Sequence, residues 1–282
     1  MKDHVFNRRH SISPKETKLM DTEQLRENFL IAQLFEPDKL LFTYSHYDRF
    51  MVGGLMPLSK KIKLEPIPEL LKSSSFLDRR ELGIINIGGD GLLEVEDKSY
   101  RLGYKDALYI GKGAQEVFFS SIDPQQPAKF YLNSTAAQHS YPTKQIHKAD
   151  AKTIIIGNEN SANRRVIHQL LFRELLDTCQ LQMGLTELIS GSVWNTMPAH
   201  THERRMEVYF YFELPQDQAI SHFMGEPSET RHLWVHNEQA IISPPWSIHA
   251  GVGTNNYSFI WGMAGENLDY ADMDLCAITD LK

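Results

Sequence analysis

The chain has 282 residues, enough to bury one large core or two ordinary ones, and two domains are expected. Hydrophobic residues make up 41% and charged residues 23%, an ordinary globular composition, while a net charge of -7 and a pI near 5.9 argue against a nucleic-acid or anionic-membrane partner. Cys179 and Cys276 are too few for a disulfide framework, and residues 1–20 carry Lys2, Arg8, Arg9, Lys15 and Lys18 without an apolar stretch. No apolar run approaches the roughly 20 residues of a membrane span, so a cytoplasmic protein facing small molecules is expected.

The first element is a helix. Asp21 stands as an N-cap, Gln24 follows at the third helical position, and Leu25, Phe29 and Leu30 repeat at helical spacing. From there the chain reads as strands: 40–44, 83–87 ahead of the turn Gly88-Gly89-Asp90-Gly91, then 92–95, 107–110, 117–120 and 129–132. The polar stretch 134–163, with Pro142 and His147, is expected to connect two halves. Strands resume at 181–189, 207–212, 219–223, 233–236, 239–243 and 258–262. Many short strands, Gly/Pro turns and few helices predict a mainly β protein built of sandwiches, barrels or jelly rolls. The division expected is a first barrel with its helical leader over 1–150 and a second over 151–282.

An internal repeat supports two barrels. Arg79-Arg80-Glu81 before an apolar run resembles Arg204-Arg205-Met206-Glu207 before another, and Ala107-Leu108-Tyr109-Ile110 resembles Ala240-Ile241-Ile242-Ser243. Setting Glu81 on Glu207 puts Ser74 and Phe76 where the second copy has His200 and His202, and the downstream match puts Glu116 opposite His249. The first copy therefore lacks the histidines and is expected to bind no metal.

The chemistry gathers in the second half. In Pro198-Ala199-His200-Thr201-His202 the two imidazoles are one residue apart, so on a strand they share a face. Glu207 opens an alternating run that places Glu207, Tyr209 and Tyr211 together and Val208, Phe210 and Phe212 on the other side. A turn over 203–206 is expected to return the chain antiparallel and bring Glu207 beside the histidines, and the turn Pro244-Pro245-Trp246-Ser247-Ile248 leads to a third imidazole, His249. Three nitrogens and one carboxylate oxygen suit zinc, manganese, iron or nickel. One divalent metal ion held by His200, His202, Glu207 and His249 is expected.

This pattern resembles the cupin superfamily, whose H-x-H-x(3,4)-E segment and later proline-to-histidine segment supply metal ligands to a jelly-roll barrel. The first segment fits with four intervening residues; in the second, Trp246 and Gly253 replace the family's glycine and asparagine. A closer resemblance spans nearly the whole chain. Arg79-Arg80-Glu81-Leu82-Gly83, Ile110-Gly111-Lys112-Gly113-Ala114, Tyr141-Pro142-Thr143-Lys144, Trp194-Asn195-Thr196-Met197-Pro198, His236-Asn237-Glu238-Gln239-Ala240 and Phe259-Ile260-Trp261-Gly262-Met263 are similar to the 4-deoxy-L-threo-5-hexosulose-uronate ketol-isomerase family of pectin and uronate breakdown. That resemblance implies two cupin-like jelly-roll barrels with a few short helices, a zinc ion and a homohexamer. It also implies interconversion of the aldehyde sugar acid with 3-deoxy-D-glycero-2,5-hexodiulosonate.

Such an isomerisation develops negative charge on oxygen, which a Lewis-acid metal stabilises. An enediol route needs a base, and Glu187 on the alternating strand 181–189 is the candidate; Tyr209, by its parity with Glu207, is the second catalytic candidate. The substrate carboxylate calls for a fixed cation, for which Arg165 and Arg204 are the candidates, with Trp246 as a further substrate-binding residue. Two other functions fit a barrel of this kind: an iron-dependent dioxygenase, and a non-catalytic sugar-binding protein.

Overall fold

The Asp21 carboxylate accepts the Gln24 N–H at 2.8 Å and the Gln24 side chain accepts the Asp21 N–H at 3.0 Å, so the capping box closes and the helix Thr22–Phe29 begins where expected. Leu30 ends it rather than continuing it. With Ile31 it forms a two-residue strand that pairs with Gln239–Ser243, Leu30 opposite Ile241. Two further one-turn helices, Pro14–Thr17 and Pro68–Leu71, complete the α content of the computed structural model, which describes residues 4–282. Among these residues no helix is long and apolar enough to cross a membrane.

Every strand expected from alternation is present, most of them one to three residues longer at an end. Apart from Arg165–Leu171, an interior strand of its seven-stranded sheet, the strands that alternation missed are short, at sheet edges, or interrupted by glycine. Met51–Leu55 is of the last kind: a Cβ on Gly54 would stand 2.0 Å from the Leu34 carbonyl oxygen, so the residue that reads as a turn signal marks a close backbone approach. The polar stretch 134–163 is likewise more than a connector, since it contains Lys144–Ile146 and Lys152–Ile156.

The chain forms two units, each a jelly roll with one seven-stranded and one four-stranded sheet, and the class is mainly β with two cupin-like barrels. The first unit holds residues 33–151 and 170–182 with the described residues up to Arg8; the second holds 9–32, 152–169 and 183–282. The single cut expected after residue 150 is therefore corrected in two places. The leader helix belongs to the second unit, because its following strand pairs there, and residues 170–182 belong to the first. In the first unit, Phe42, Leu55, Leu82, Ile84, Phe119 and Phe130, drawn from both sheets, lie in one buried cluster.

The repeat survives as topology but shifts by one residue. Leu82 pairs with Ile110, and Glu207 pairs with Ser243. With Ile110 matched to Ser243, Leu82 takes the place of Glu207 and Arg80 that of Arg205. A one-residue shift turns a side chain to the opposite face, so Glu81 is not the counterpart of the metal-ligand candidate. Fully buried, it accepts hydrogen bonds from the Tyr109 hydroxyl and the backbone N–H groups of Cys179, Gln180 and Leu181 at 2.8–2.9 Å. Glu81→Ala would strand these four donors, two of them buried and two part-buried, and urea denaturation is expected to show a loss of about 3–5 kcal/mol.

Candidate metal centre

Glu207 is the third residue of the strand Arg205–Phe212, which runs inside the seven-stranded sheet of the second unit between Gln239–Ser243 and Ser258–Gly265. His249 directly precedes Ala250–Gly253 of the four-stranded sheet. His200 begins the two-residue strand His200–Thr201 and His202 follows it. That strand does not fold back onto Arg205–Phe212 as expected; it pairs with Asp274–Leu275 near the C-terminus. The tight turn at Glu203-Arg204 still brings Glu207 alongside, with His202 Nε2 2.8 Å from Glu207 Oε1.

The four side chains converge. His249 Nε2 lies 3.0 Å from His200 Nε2 and 3.6 Å from Glu207 Oε2, and one ligand atom from each residue falls within 4.8 Å of all the others. All four residues are buried, and they are the one such group found among the described residues. Metal–nitrogen bonds of 2.0–2.1 Å in a tetrahedral shell separate donors by about 3.4 Å, so the observed spacing fits a single ion. Protonation fits as well. Burial lowers His200 to about 4 and His249 well below the ordinary imidazole value, leaving neutral rings. Burial would raise the Glu207 carboxyl, but His249 and His202 beside it outweigh that and hold it ionised. Neutral imidazoles and an anionic carboxylate are the forms that ligate a cation.

Outer partners orient the candidate ligands. The His202 Nδ1–H donates to the Asp272 carbonyl at 2.7 Å, which leaves Nε2 for the centre. Asp272 is itself tied down: its carboxylate accepts from Arg204 and Asn267, and its carbonyl also accepts from Arg205. Arg205 further donates to the carbonyls of Asp269 and Tyr270, so one buried guanidinium straps the 269–272 segment across the centre. The ligands open onto a cavity of about 280 Å³, with Arg165, Thr196, Tyr209, Trp261 and Tyr270 among its lining residues.

The remaining sequence candidates divide. Tyr209 lines the cavity, its ring centroid 5.2 Å from that of His249 and its hydroxyl 2.9 Å from Thr196 Oγ1. Arg165 lines it too, buried, with Nη1 donating to the Asn163 carbonyl at 2.7 Å. Glu187 does not: it pairs with His168 at 2.6 Å, and its neighbour Thr186 is the cavity residue of that strand, so alternation points Glu187 to the other face. The assignment of Glu187 as base is corrected accordingly. Arg204 is half-exposed on Asp272 and is no lining residue, and Trp246 packs edge-on against Phe29 away from the cavity. Arg205 was the better choice of that pair, because it shares strand parity with Glu207 and Tyr209. Thr196, Asp272 and Tyr270 sit in irregular segments or very short strands that give no periodic signal.

Behind Tyr209, His222 is fully buried, with Nδ1 2.7 Å from the Tyr211 hydroxyl and no partner for Nε2 among the described residues. Burial lowers its pKa to about 3. The unfolded chain therefore takes up a proton near the ordinary imidazole value that the folded chain refuses, and stability falls as pH drops from that value toward 3. In urea denaturation of metal-free protein at two pH values one unit above and one unit below the ordinary imidazole pKa, His222→Phe is expected to lose about 1.4 kcal/mol less than the native chain. Equal losses would contradict a neutral buried His222.

The chain matches the model of the KduI/IolB family over residues 40–278. It is 56% identical to a protein of Formosa agariphila called 4-deoxy-L-threo-5-hexosulose-uronate ketol-isomerase, over 98% of this chain and 99% of that one. Proteins of the same description from Enterobacter sp. strain 638 and Bacteroides fragilis are each 52% identical over 97% of this chain, covering 99% and 98% of their own lengths. Among solved structures, an IolB-like protein of Salmonella typhimurium LT2 superposes with a TM-score of 0.66 at 16% identity, covering 80% of this chain and 86% of the other. The oxalate decarboxylase of Lactobacillus farciminis gives 0.56 at 11% identity, covering 80% and 79%. At such identities the structural likeness speaks for the fold alone.

Proposed function

The chain belongs to the KduI/IolB family, and from that premise we propose that it is a metal-dependent ketol-isomerase interconverting 4-deoxy-L-threo-5-hexosulose uronate (5-dehydro-4-deoxy-D-glucuronate) and 3-deoxy-D-glycero-2,5-hexodiulosonate. It is an isomerase, an intramolecular oxidoreductase, as the full-length identity to named ketol-isomerases supports. The observation that carries the finer reading is the buried group of three imidazoles and one carboxylate opening onto a cavity that also holds a buried cation, Arg165. The dioxygenase and non-catalytic alternatives have no comparable support from relatives at 52–56% identity.

His200, His202, Glu207 and His249 would hold a divalent ion, which would supply Lewis acidity worth several kcal/mol toward charge developing on a sugar oxygen. The other residues have separate tasks. Arg165, a cation at neutral pH, takes the substrate carboxylate. Burial, then the nearby Glu207 charge, push the Tyr209 phenol well above its ordinary 10.0, so it keeps its proton and donates to the sugar oxygen that becomes a hydroxyl. The proton released from the adjacent hydroxyl returns to Tyr209, directly or relayed through the Thr196 hydroxyl 2.9 Å away, so the reaction needs no external oxidant or acid. Ile154, Ile156, Ile167 and Phe259 line the cavity and exclude water.

With Glu187 outside, Glu207 is the only carboxylate among the lining residues, and it belongs to the ligand set. This favours direct transfer of hydrogen from C2 to C1 over abstraction by a base. Zinc suits the nitrogen-rich donor set. The homohexamer, the cytoplasmic location and the place in pectin-derived uronate breakdown belong to the proposal through the family resemblance. The test is turnover of the keto-uronate in D2O, followed by proton NMR. Product without deuterium on the hydroxymethyl carbon that was C1 of the substrate is the expected result; one deuterium there per turnover would favour an enediol, and absence of turnover would overturn the isomerase reading for this substrate.

A further inference from the structure

Trp261 carries a polar group that the proposed mechanism leaves unused. It is buried at 4% exposure, it lines the cavity, and its indole Nε1 has no hydrogen-bond partner among the described residues. Buried N–H groups are nearly always paired, so a donor stranded in the wall of a binding cavity calls for a partner from within that cavity. The indole is held where it is by a glycine. A Cβ on Gly184 of the neighbouring strand would stand 2.2 Å from Trp261 Cζ2 and 2.8 Å from Cε2, the atom bonded to Nε1. Only a residue without a side chain lets the nitrogen-bearing edge lie across that strand.

The sheet places this donor between the two ends of the proposed substrate. Trp261 is directly opposite Tyr209 and one strand from the ligand strand, and the order continues through Gln182–Leu188 to Arg165–Leu171. Strands lie about 4.8 Å apart, so the indole stands beyond the metal ligands on the way to Arg165. An indole N–H donates and cannot accept. Its partner on the substrate is therefore an acceptor, and of the groups between the isomerising carbons and the carboxylate the C5 ketone is the one that can only accept.

Resting on the isomerase reading above, we propose that the Trp261 N–H donates a hydrogen bond to the ketone oxygen of the bound keto-uronate and is a specificity contact for it. Because this bond lies away from the carbons that react, it is made alike in the bound substrate and in the transition state, and its loss appears in KM rather than in kcat.

The test compares the native enzyme with Trp261→Phe and Trp261→His, after checking bound metal and thermal unfolding. Trp261→Phe keeps a ring and removes the donor; its KM is expected to rise about tenfold with kcat within about threefold. Trp261→His restores an N–H and is expected to recover part of that loss. A native-like KM in Trp261→Phe, or no recovery in Trp261→His, overturns the proposal. If the native chain does not turn over the keto-uronate, the isomerase reading fails, and calorimetry with the same keto acid decides the contact: weaker binding to Trp261→Phe supports it and equal affinity overturns it.

Discussion

His249→Ala is expected to reduce bound metal from about one ion per subunit to a small fraction and to lower kcat/KM at least about a thousandfold, the loss of several kcal/mol of charge stabilisation. Of the four candidate ligands it is the one carried by the four-stranded sheet, 3.0 Å from His200 and 3.6 Å from Glu207, so its removal opens one side of the cluster. The ring is also in edge contact with His200 and Tyr209, and its deletion leaves a small cavity that costs stability as well. Elemental analysis and thermal unfolding of the same preparation separate the two effects. A folded variant that holds no metal yet turns over like the native chain would sink the metal assignment. Chelation of the native protein, followed by readdition of zinc, is expected to reproduce the loss and then reverse it, without any mutation.

Tyr209→Phe should behave differently: metal content unchanged, KM little affected, and kcat lower by about a hundredfold, the range for removing one positioned proton donor. The argument is one of position and proton affinity together. Tyr209 lies two residues from Glu207 on the same strand face, its hydroxyl is 2.9 Å from Thr196 Oγ1, and its burial keeps the phenol protonated throughout the neutral range. Losing the hydroxyl leaves Thr196 as the neighbouring proton carrier, which is why a residual rate is expected. A kcat within about twofold of native, with metal retained, would reduce Tyr209 to a wall of the cavity.

Three of the metal-ligand candidates were legible because they belong to a pattern with a short physical period, and His249 because it follows a proline-marked turn. Two histidines one residue apart, and a glutamate heading an alternating strand, are readable by anyone counting side-chain faces. The same parity rule favours Arg205 over Arg204, and the structure bears it out, since Arg205 shares the face of Glu207 while Arg204 holds Asp272 at the surface. Glu187 shows where the rule stops. Alternation says that Thr186 and Glu187 face opposite sides, but which side is the interior depends on the neighbouring strands. Trp246 sits within the turn Pro244–Ser247, which carries its ring onto Phe29.

By itself the amino-acid sequence determined the mainly β class, most of the strands, the leader helix with its cap, and the four residues of the candidate metal centre, because all of these depend on local motifs and on donor chemistry. Tertiary structure alone decided the rest. It moved the leader helix into the second unit through the pairing of Leu30–Ile31, turned Glu81 into a buried clamp by a one-residue difference in register, and paired the histidine strand with Asp274–Leu275. It also gathered Arg165, Thr196, Trp261 and Tyr270 around one cavity. These outcomes rest on which strands pair and in what register, and that is settled by burying the apolar faces of distant segments against one another, a cooperative sum that no single stretch of sequence carries.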